Sequence, residues 1–394
     1  MVKHLFTLIW NKKKQNFLLM LEILVSFLVM FAVFTLTVND YQRYKKPMGF
    51  DYEDVWVINY SNSFQTGNKD SLIRYYETLR QLLKGLPSVK DMSFISENVP
   101  FSQTTDGDGV NYNKNEVQVE AFQVEDSYRN TLGIKMAEGR WFDSQDAVSK
   151  NKPVVINTTL KEKLFGAESA IGKDIGFSYN TKIKNTVIGV VQDAKVKGDY
   201  SLVSPATYTK IDTDAFNRLG NILIKVSPNA DAAFEGLLYK VLANYMKNAD
   251  VEIEHLANKR VSINNFTLIP MIVLLLVGGF LIINVALGLF GVLWYNINKR
   301  KGEIGLRRAI GASGAAVSGQ LVSEALIIAS LSLAAGTFFA VQFPLLNVFD
   351  LPPNVYFLAI LFSIIFIYLL VLICSLYPGR QAAAIYPAVA LHED

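Results

Sequence analysis

The sequence is poor in the side chains that build redox and metal chemistry. Its 394 residues hold one cysteine, Cys374, and three histidines, His4, His255 and His392. A single cysteine excludes an intrachain disulfide, whatever compartment the chain occupies. Cys374 lies in an apolar run and reads as a small buried or lipid-facing hydrophobe. The three histidines are far apart, which argues against a histidine-built metal centre. An excess of one charge is missing too. Lys and Arg number 38 against 35 Asp and Glu, a net charge of +3, so no broad basic field points to nucleic acid.

Catalytic and nucleotide signatures are also lacking. No G-x-S-x-G or H-E-x-x-H occurs, and no cysteine–histidine pair suits catalysis. Residues 166–174, GAESAIGKD, imitate a phosphate loop but are one residue too long. Asp174 also stands where a hydroxyl must meet Mg²⁺, so the segment reads as a loop leading into a strand. Asp106-Gly107-Asp108-Gly109 imitates the start of a calcium loop. Val110, Asn111 and Val117 then take the positions that require an oxygen ligand, a glycine and a glutamate. The Asp-Gly pairs predict a turn or flexible loop instead.

What the sequence has in quantity is apolar surface, 51% of its residues, unevenly spread. Four runs reach the roughly 20 residues that a membrane span needs. They are residues 17–38, 266–295, 317–341 and 356–377. Flanking cations set the orientation. Lys3, Lys12, Lys13 and Lys14 precede the first run; Lys299, Arg300, Lys301, Arg307 and Arg308 lie between the second and third; Arg380 follows the fourth. Residues 342–355 have neither Lys nor Arg. The positive-inside rule then predicts that residues 1–16, 296–316 and 378–394 are cytoplasmic, with 39–265 and 342–355 outside. The first run is too long for a signal-peptide core and no small-residue cleavage site follows it, so it reads as an anchor. Glu22 and Glu324 lie near the cytoplasmic ends of spans. A carboxylate there is either a proton-relay candidate or a partner for headgroups and nearby cations.

The segment at 39–265 reads as a soluble α+β domain. Residues 54–60, DVWVINY, are strand-like. Residues 70–84 carry Leu72, Tyr75, Tyr76, Leu79, Leu82 and Leu83 at helical spacing, closed by Gly85 and Pro87, and a strand is expected near 91–96. The same order returns late: a strand at 221–226, a helix at 230–246 and a strand at 251–256. This predicts a split β-α-β unit carrying an inserted β-rich subdomain at about 101–205, with strands near 116–124, 153–157 and 186–191. The fold class is therefore an α-helical membrane protein with four transmembrane helices and a large extracytoplasmic α+β domain.

The most informative stretch is residues 298–313, NKRKGEIGLRRAIGAS. Glu303 and Arg307 are four apart in the favourable order, and Ile304, Leu306 and Ile310 add apolar contact. Gly302, Gly305 and Gly311 permit close approach or sharp bends. Periodicity alone leaves two readings, a docking helix and a membrane-surface helix.

GEIGLRRAIGAS at 302–313, with Gln320, Leu321, Glu324, Ala325 and Leu326, resembles the permeases of the macrolide-exporter, lipoprotein-release and cell-division type, the MacB/FtsX-like family. YPGRQAAAIYPAVAL at 377–391 resembles their closing segment. GIKMAEGRWFD at 133–143, VVIN at 154–157, LFG at 164–166, IGKDI at 171–175 and VIGVVQD at 187–193 resemble their periplasmic core domain. The resemblance implies a multi-pass protein of the bacterial inner membrane that works as a homodimer, or as a dimer with a paralogous permease. It implies a cytoplasmic ABC ATPase as partner, which would hold the ATP and magnesium and leave this chain without a cofactor or catalytic site. The loop would be a coupling helix seated on that ATPase, with Glu303, Arg307 and Arg308 as polar contacts and Ile304 and Leu306 as apolar ones. ATP hydrolysis would move the periplasmic domain, a mode called mechanotransmission. The macrolide exporter carries its ATPase ahead of its first span, whereas residues 1–16 leave no room for one, so the ATPase is expected on another chain. The cell-division member has a smaller outer domain, which argues against that identity. Efflux with a periplasmic adaptor and an outer-membrane factor, lipoprotein release, and envelope signalling remain alternatives.

Overall fold

The computed structural model describes residues 13–61, 66, 68–96, 98–103, 106–113, 115–143, 146, 151–178, 180–211, 219–247 and 249–384. Lys3, His4, Lys12, His392 and residues 385–391 of the closing segment lie outside the described residues. The chain divides into two units, residues 1–42 with 268–394, and residues 43–267.

Four helices among the described residues are long and apolar enough to cross a membrane. They are α1 (Lys13–Tyr44), α6 (Leu256–Lys299), α8 (Gly314–Leu345) and α9 (Pro353–Ala383). Each outruns the apolar run that predicts it. The reason is local: helical hydrogen bonding does not stop where hydropathy falls, but where a capping residue ends it. Ser313 starts α8 by accepting a hydrogen bond from the Ala316 amide at 3.2 Å, and Pro353 opens α9 where a missing N–H costs nothing. In the first unit, Leu19, Ile23, Phe27 and Phe31 of α1 pack with Ala325, Ala329 and Leu333 of α8 and with Tyr356, Ala359 and Ile367 of α9. Lipid is as apolar as these side chains, so close fit holds the bundle together more than water exclusion does. Glu22 uses such a fit. Its carboxylate occupies the space beside Gly288 of α6 that a β-carbon there would fill.

Among the described residues the second unit is built on one eleven-stranded sheet. Its first part has β1 (Val55–Ser61), α2 (Lys69–Lys84), β2 (Val89–Ile95), β10 (Asn221–Val226), α5 (Ala232–Tyr245) and β11 (Asp250–His255). The strand order β11-β1-β10-β2 is antiparallel throughout. β1 and β2 therefore run parallel with β10 between them, and β10 and β11 run parallel with β1 between them. These are the two split β-α-β units of a ferredoxin-like arrangement. Strand alternation divides β1 cleanly. Trp56, Ile58 and Tyr60 face α2 and α5, meeting Leu72, Tyr76, Leu79, Phe234 and Leu238, while Val55 and Val57 face Phe122, Val155 and Tyr208 of the insertion. Cover on both faces explains why this strand reads as a continuous apolar run.

The insertion contains β3 (Gly107–Tyr112), β4 (Asn115–Val124), α3 (Tyr128–Thr131), β5 (Met136–Gly139), β6 (Lys152–Asn157), α4 (Thr158–Phe165), β7 (Asp174–Phe177), β8 (Asn180–Val191) and β9 (Ala206–Lys210). Its sheet joins the first part where Ile95 of β2 pairs with Val124 of β4. The turn expected at 106–109 is not there. Residues 107–112 form a strand in register with β4 from Gly107↔Glu120 to Tyr112↔Asn115. The turn falls instead at Asn113, whose φ of 55° suits asparagine. The loop before β7 is closed on itself. The Gly172 amide donates to the Val187 carbonyl at 2.8 Å and the Lys173 amide to Ala170 at 3.2 Å, so these amides do not form an open phosphate cradle.

Candidate functional site

The stretch singled out by sequence forms α7 (Lys301–Ala309), a nine-residue helix between α6 and α8. Gly311 ends it with φ +101°, where any β-carbon would be strained. The Ser313 cap then starts α8 two residues later. The short helix is therefore punctuated at its C-terminal end by residue types chosen for that purpose.

Ile304 is 6% exposed and packs on Ile297, Val317, Leu321 and Ala382. Its apolar contact is thus made within this chain. That corrects the expectation that Ile304 faces a partner: the first turn of α7 needs an apolar side chain to seat it between α6 and α8. Gly305 is buried as well. Leu306 is 54% exposed and Ile310 79%, with Gly302 and Gly311 exposed on the same open surface.

Polar side chains lock this orientation. Glu303 pairs with Arg300 at 3.1 Å and with Arg307 at 2.6 Å. Arg307 donates to the Gln320 side-chain oxygen at 2.8 Å, and Gln320 donates to Glu324 at 3.0 Å. Glu324 returns to Arg300 at 3.0 Å. Five side chains, from the α6–α7 junction, from α7 and from α8, so form a closed ring. Burial works against the Arg300 charge, but the hydrogen bonds and charges of Glu303 and Glu324 outweigh it and raise its affinity for the proton. Arg308 stands apart from the ring and donates to the Ala312 carbonyl at 3.3 Å. Glu324 therefore acts as an ion-pair partner here. The sequence places Arg300, Gln320 and Glu324 in or beside the α7 motif but does not show that they contact it; the available signals were the four-residue spacing of Gln320 and Glu324 and the Arg300–Glu303 spacing of three.

A recess lies in the second unit. It is a cleft of about 420 Å³ lined by Phe101, Ile253, Ile263, Phe266, Glu235 and His255 among others. His255 stacks on Trp56 at 4.5 Å and meets Glu235 at 3.0 Å. Among the described residues no group of three or more His, Cys, Asp or Glu side chains could hold a metal ion.

A family described as the MacB-like periplasmic core domain matches residues 17–236. The chain belongs to this family. The FtsX-like permease C-terminal family matches residues 268–387, which contain α7 and the whole ring. The macrolide export ATP-binding/permease protein MacB of Aggregatibacter actinomycetemcomitans is 25% identical over 337 residues, covering 82% of this chain and 50% of that protein. The uncharacterized ABC transporter permease YvrN of Bacillus subtilis is 22% identical over 426 residues, covering 100% of both. The crystal structure of the periplasmic region of MacB from Actinobacillus actinomycetemcomitans covers 57% of this chain and 98% of that one, at 20% identity and a TM-score of 0.39. The chain spans about half the length of the first MacB relatives it matches.

Proposed function

We propose that this chain is the permease subunit of an ABC transporter of the MacB/FtsX type, and that α7 is where a cytoplasmic ATPase on another chain engages it. The reading rests on one observation above all. α7 is a short amphipathic helix whose inner face is fixed by Ile304 and the ring, while Leu306 and Ile310 are left uncovered. Large exposed apolar groups on a helix too short to be stable alone are the expected form of a docking surface. Hydrolysis on the partner would move α7, and the MacB-like domain would move in response. Both termini and α7 would then face the cytoplasm of a bacterium, with residues 43–267 in the periplasm.

The same reading assigns a second permease, identical or paralogous, to α6. That helix is the least covered of the four by its own chain. Asn284 is exposed midway along it, spending one amide hydrogen on the Phe280 carbonyl at 2.8 Å. A polar side chain facing lipid is costly, and a partner helix would satisfy it.

The test is co-purification and turnover. The permease is co-expressed with its ABC ATPase, and Leu306→Ala with Ile310→Ala is expected to abolish both capture and permease-stimulated hydrolysis. Capture and stimulation at the unaltered level would refute the reading. Export is the favoured output. Lipoprotein release is kept as a second reading because the cleft at Phe101, Ile253, Ile263 and Phe266 combines apolar and charged lining. Reconstituted vesicles that release a labelled lipoprotein, and export no soluble substrate, would select it.

A further inference from the structure

Residues 192–205 connect β8 to β9, and this loop holds two charges that are almost wholly removed from water. Lys195 is 2% exposed and Asp199 5%. Burying a charge is costly unless its hydrogen-bonding capacity is met, so the partners matter.

The Asp199 carboxylate accepts from Arg260 Nε on Oδ2 at 3.0 Å and from Nη2 on Oδ1 at 3.1 Å. Asn264 binds the same residue twice. Its amide nitrogen donates to the carboxylate, and its oxygen accepts from the Asp199 backbone N–H at 3.0 Å. Arg260 and Asn264 are four apart, so they present one face of the N-terminal turns of α6. The third arm of Arg260 donates to the Tyr52 hydroxyl at 2.6 Å, and the guanidinium lies 4.6 Å from the centre of the Tyr52 ring. A bidentate fork of this kind fixes direction as well as distance.

Lys195 does the equivalent for α1. Its ammonium donates to the Arg43 carbonyl at 3.0 Å and to the Asp199 carbonyl at 3.1 Å. The Arg43 carbonyl lies in the last turn of α1, where carbonyls lack helical partners and a cation is favoured. Burial pushes the Lys195 ammonium below its ordinary value, while the Asp199 charge opposes that. Arg43 answers through its own guanidinium, which donates to the Tyr200 carbonyl at 3.3 Å, and Tyr44 stacks on Tyr200 at 5.8 Å. Gly198 has φ +101°, and a β-carbon there would strike Asn264 and Ile263.

One loop thus grips the ends of two helices whose ranges run on into the apolar spans, α6 passing through Pro270 on the way. From this geometry we propose that residues 192–205 are a clamp through which α1 and α6 drive the MacB-like domain, with Asp199 and Lys195 as its positioning residues. The proposal rests on the coupling reading above and names the parts that carry its motion. An apolar contact at this place would let the helices slide under load. The fork on Asp199 and the ammonium on the α1 carbonyl resist displacement along the helix. The loop then passes that displacement into β8, which pairs with β5, β6 and β7, and into β9, which pairs with β4 and β6.

The experiment uses the full chain with its ABC ATPase in lipid nanodiscs and follows hydrogen exchange with and without ATP. Asp199→Asn keeps the side-chain shape and Arg260→Gln leaves a shorter polar side chain, and each removes one charge of the pair. The Asp199 amide should exchange about a hundredfold faster in either variant. ATP hydrolysis should continue near the unaltered rate, and the ATP-dependent change in exchange over β8 and β9 should disappear. The swapped variant, Asp199→Arg with Arg260→Asp, should restore part of that change. Asn264→Ala and Arg260→Lys, which are milder, should weaken the response if the first variants fold poorly. A response that persists undiminished in Asp199→Asn and Arg260→Gln overturns the clamp alone. Absence of any ATP-dependent change in the unaltered chain overturns the coupling reading and the clamp with it, and the two failures are told apart because only the second shows in the unaltered chain.

Discussion

Ile304 and Ile310 lie within one short helix and its cap, carry the same side chain, and face opposite ways. Their truncation should therefore fail differently. Ile304 sits among Ile297, Val317, Leu321 and Ala382. Removing a buried isoleucine side chain beyond its β-carbon costs about 2–4 kcal/mol, through lost burial and the cavity left behind. The cluster is small and near the surface, so the lower figure, about 2 kcal/mol, is expected. Ile310 meets water, and Ile310→Ala should change folding stability by less than about 0.5 kcal/mol. If a partner covers it, the same truncation removes three buried carbons. At roughly 0.8 kcal/mol each this is about 2.4 kcal/mol, or about a fiftyfold loss of affinity. The assay is interferometry of the purified ATPase on nanodisc-held permease, paired with thermal unfolding of the same samples. Ile310→Ala should bind about fifty times more weakly with an unchanged unfolding midpoint. Ile304→Ala should unfold earlier, yet bind normally well below its midpoint. An Ile310→Ala chain that binds within about twofold of the original would refute the docking role of this face.

Other perturbations test other contacts. Arg300→Gln and Glu324→Gln, alone and together, should give a double-mutant coupling energy of about 1–2 kcal/mol in unfolding, since both side chains are largely covered; strictly additive effects would remove the ring as a unit. Gly288→Ala places a β-carbon on the Glu22 carboxylate, the far end of a flexible side chain that can swing aside, so the bundle should lose less than about 1 kcal/mol. Glu22→Ala should relieve most of that loss, and equal losses in both backgrounds would count against the packing. Asp146 is held below the usual carboxylate range, first by its hydrogen bonds from Arg140. Its folded value lies under its unfolded one, so its stabilisation is complete above the unfolded value and fades as pH falls through the folded one. Asp146→Asn should flatten the acid limb of the stability curve, and an unchanged limb would contradict the assignment.

Much of the architecture was legible because its signals are local. Apolar runs mark the spans, and the helical spacing of Leu72, Tyr76, Leu79 and Leu83 marks the buried face of α2, all four being buried. The strand β3 was hidden because Gly107 and Gly109 imitate turn chemistry, while its partner β4 supplies the order. The face of α7 was hidden for another reason. Ile304, Leu306 and Ile310 are equally apolar, and only the packing of α8 and α9 decides which of them is covered. Glu324 and Arg300 are 24 residues apart, and Asp199 and Arg260 are 61 apart. No period connects such positions, and a charge read alone in sequence carries no record of what it meets.

The closure of the ring around α7 has a consequence for how its importance is measured. Each of its five members has two neighbours, so removing one leaves an open chain in which the other four are still joined. A scan of single substitutions will record small effects at every position and rank the set as dispensable. Removing two members that are not neighbours divides the set into separate pieces, and the penalty should then rise steeply. Sequence drift among related chains can exploit this tolerance, exchanging one member at a time while the remaining contacts hold α7 in place. The redundancy would be visible only as epistasis between positions that look neutral one by one.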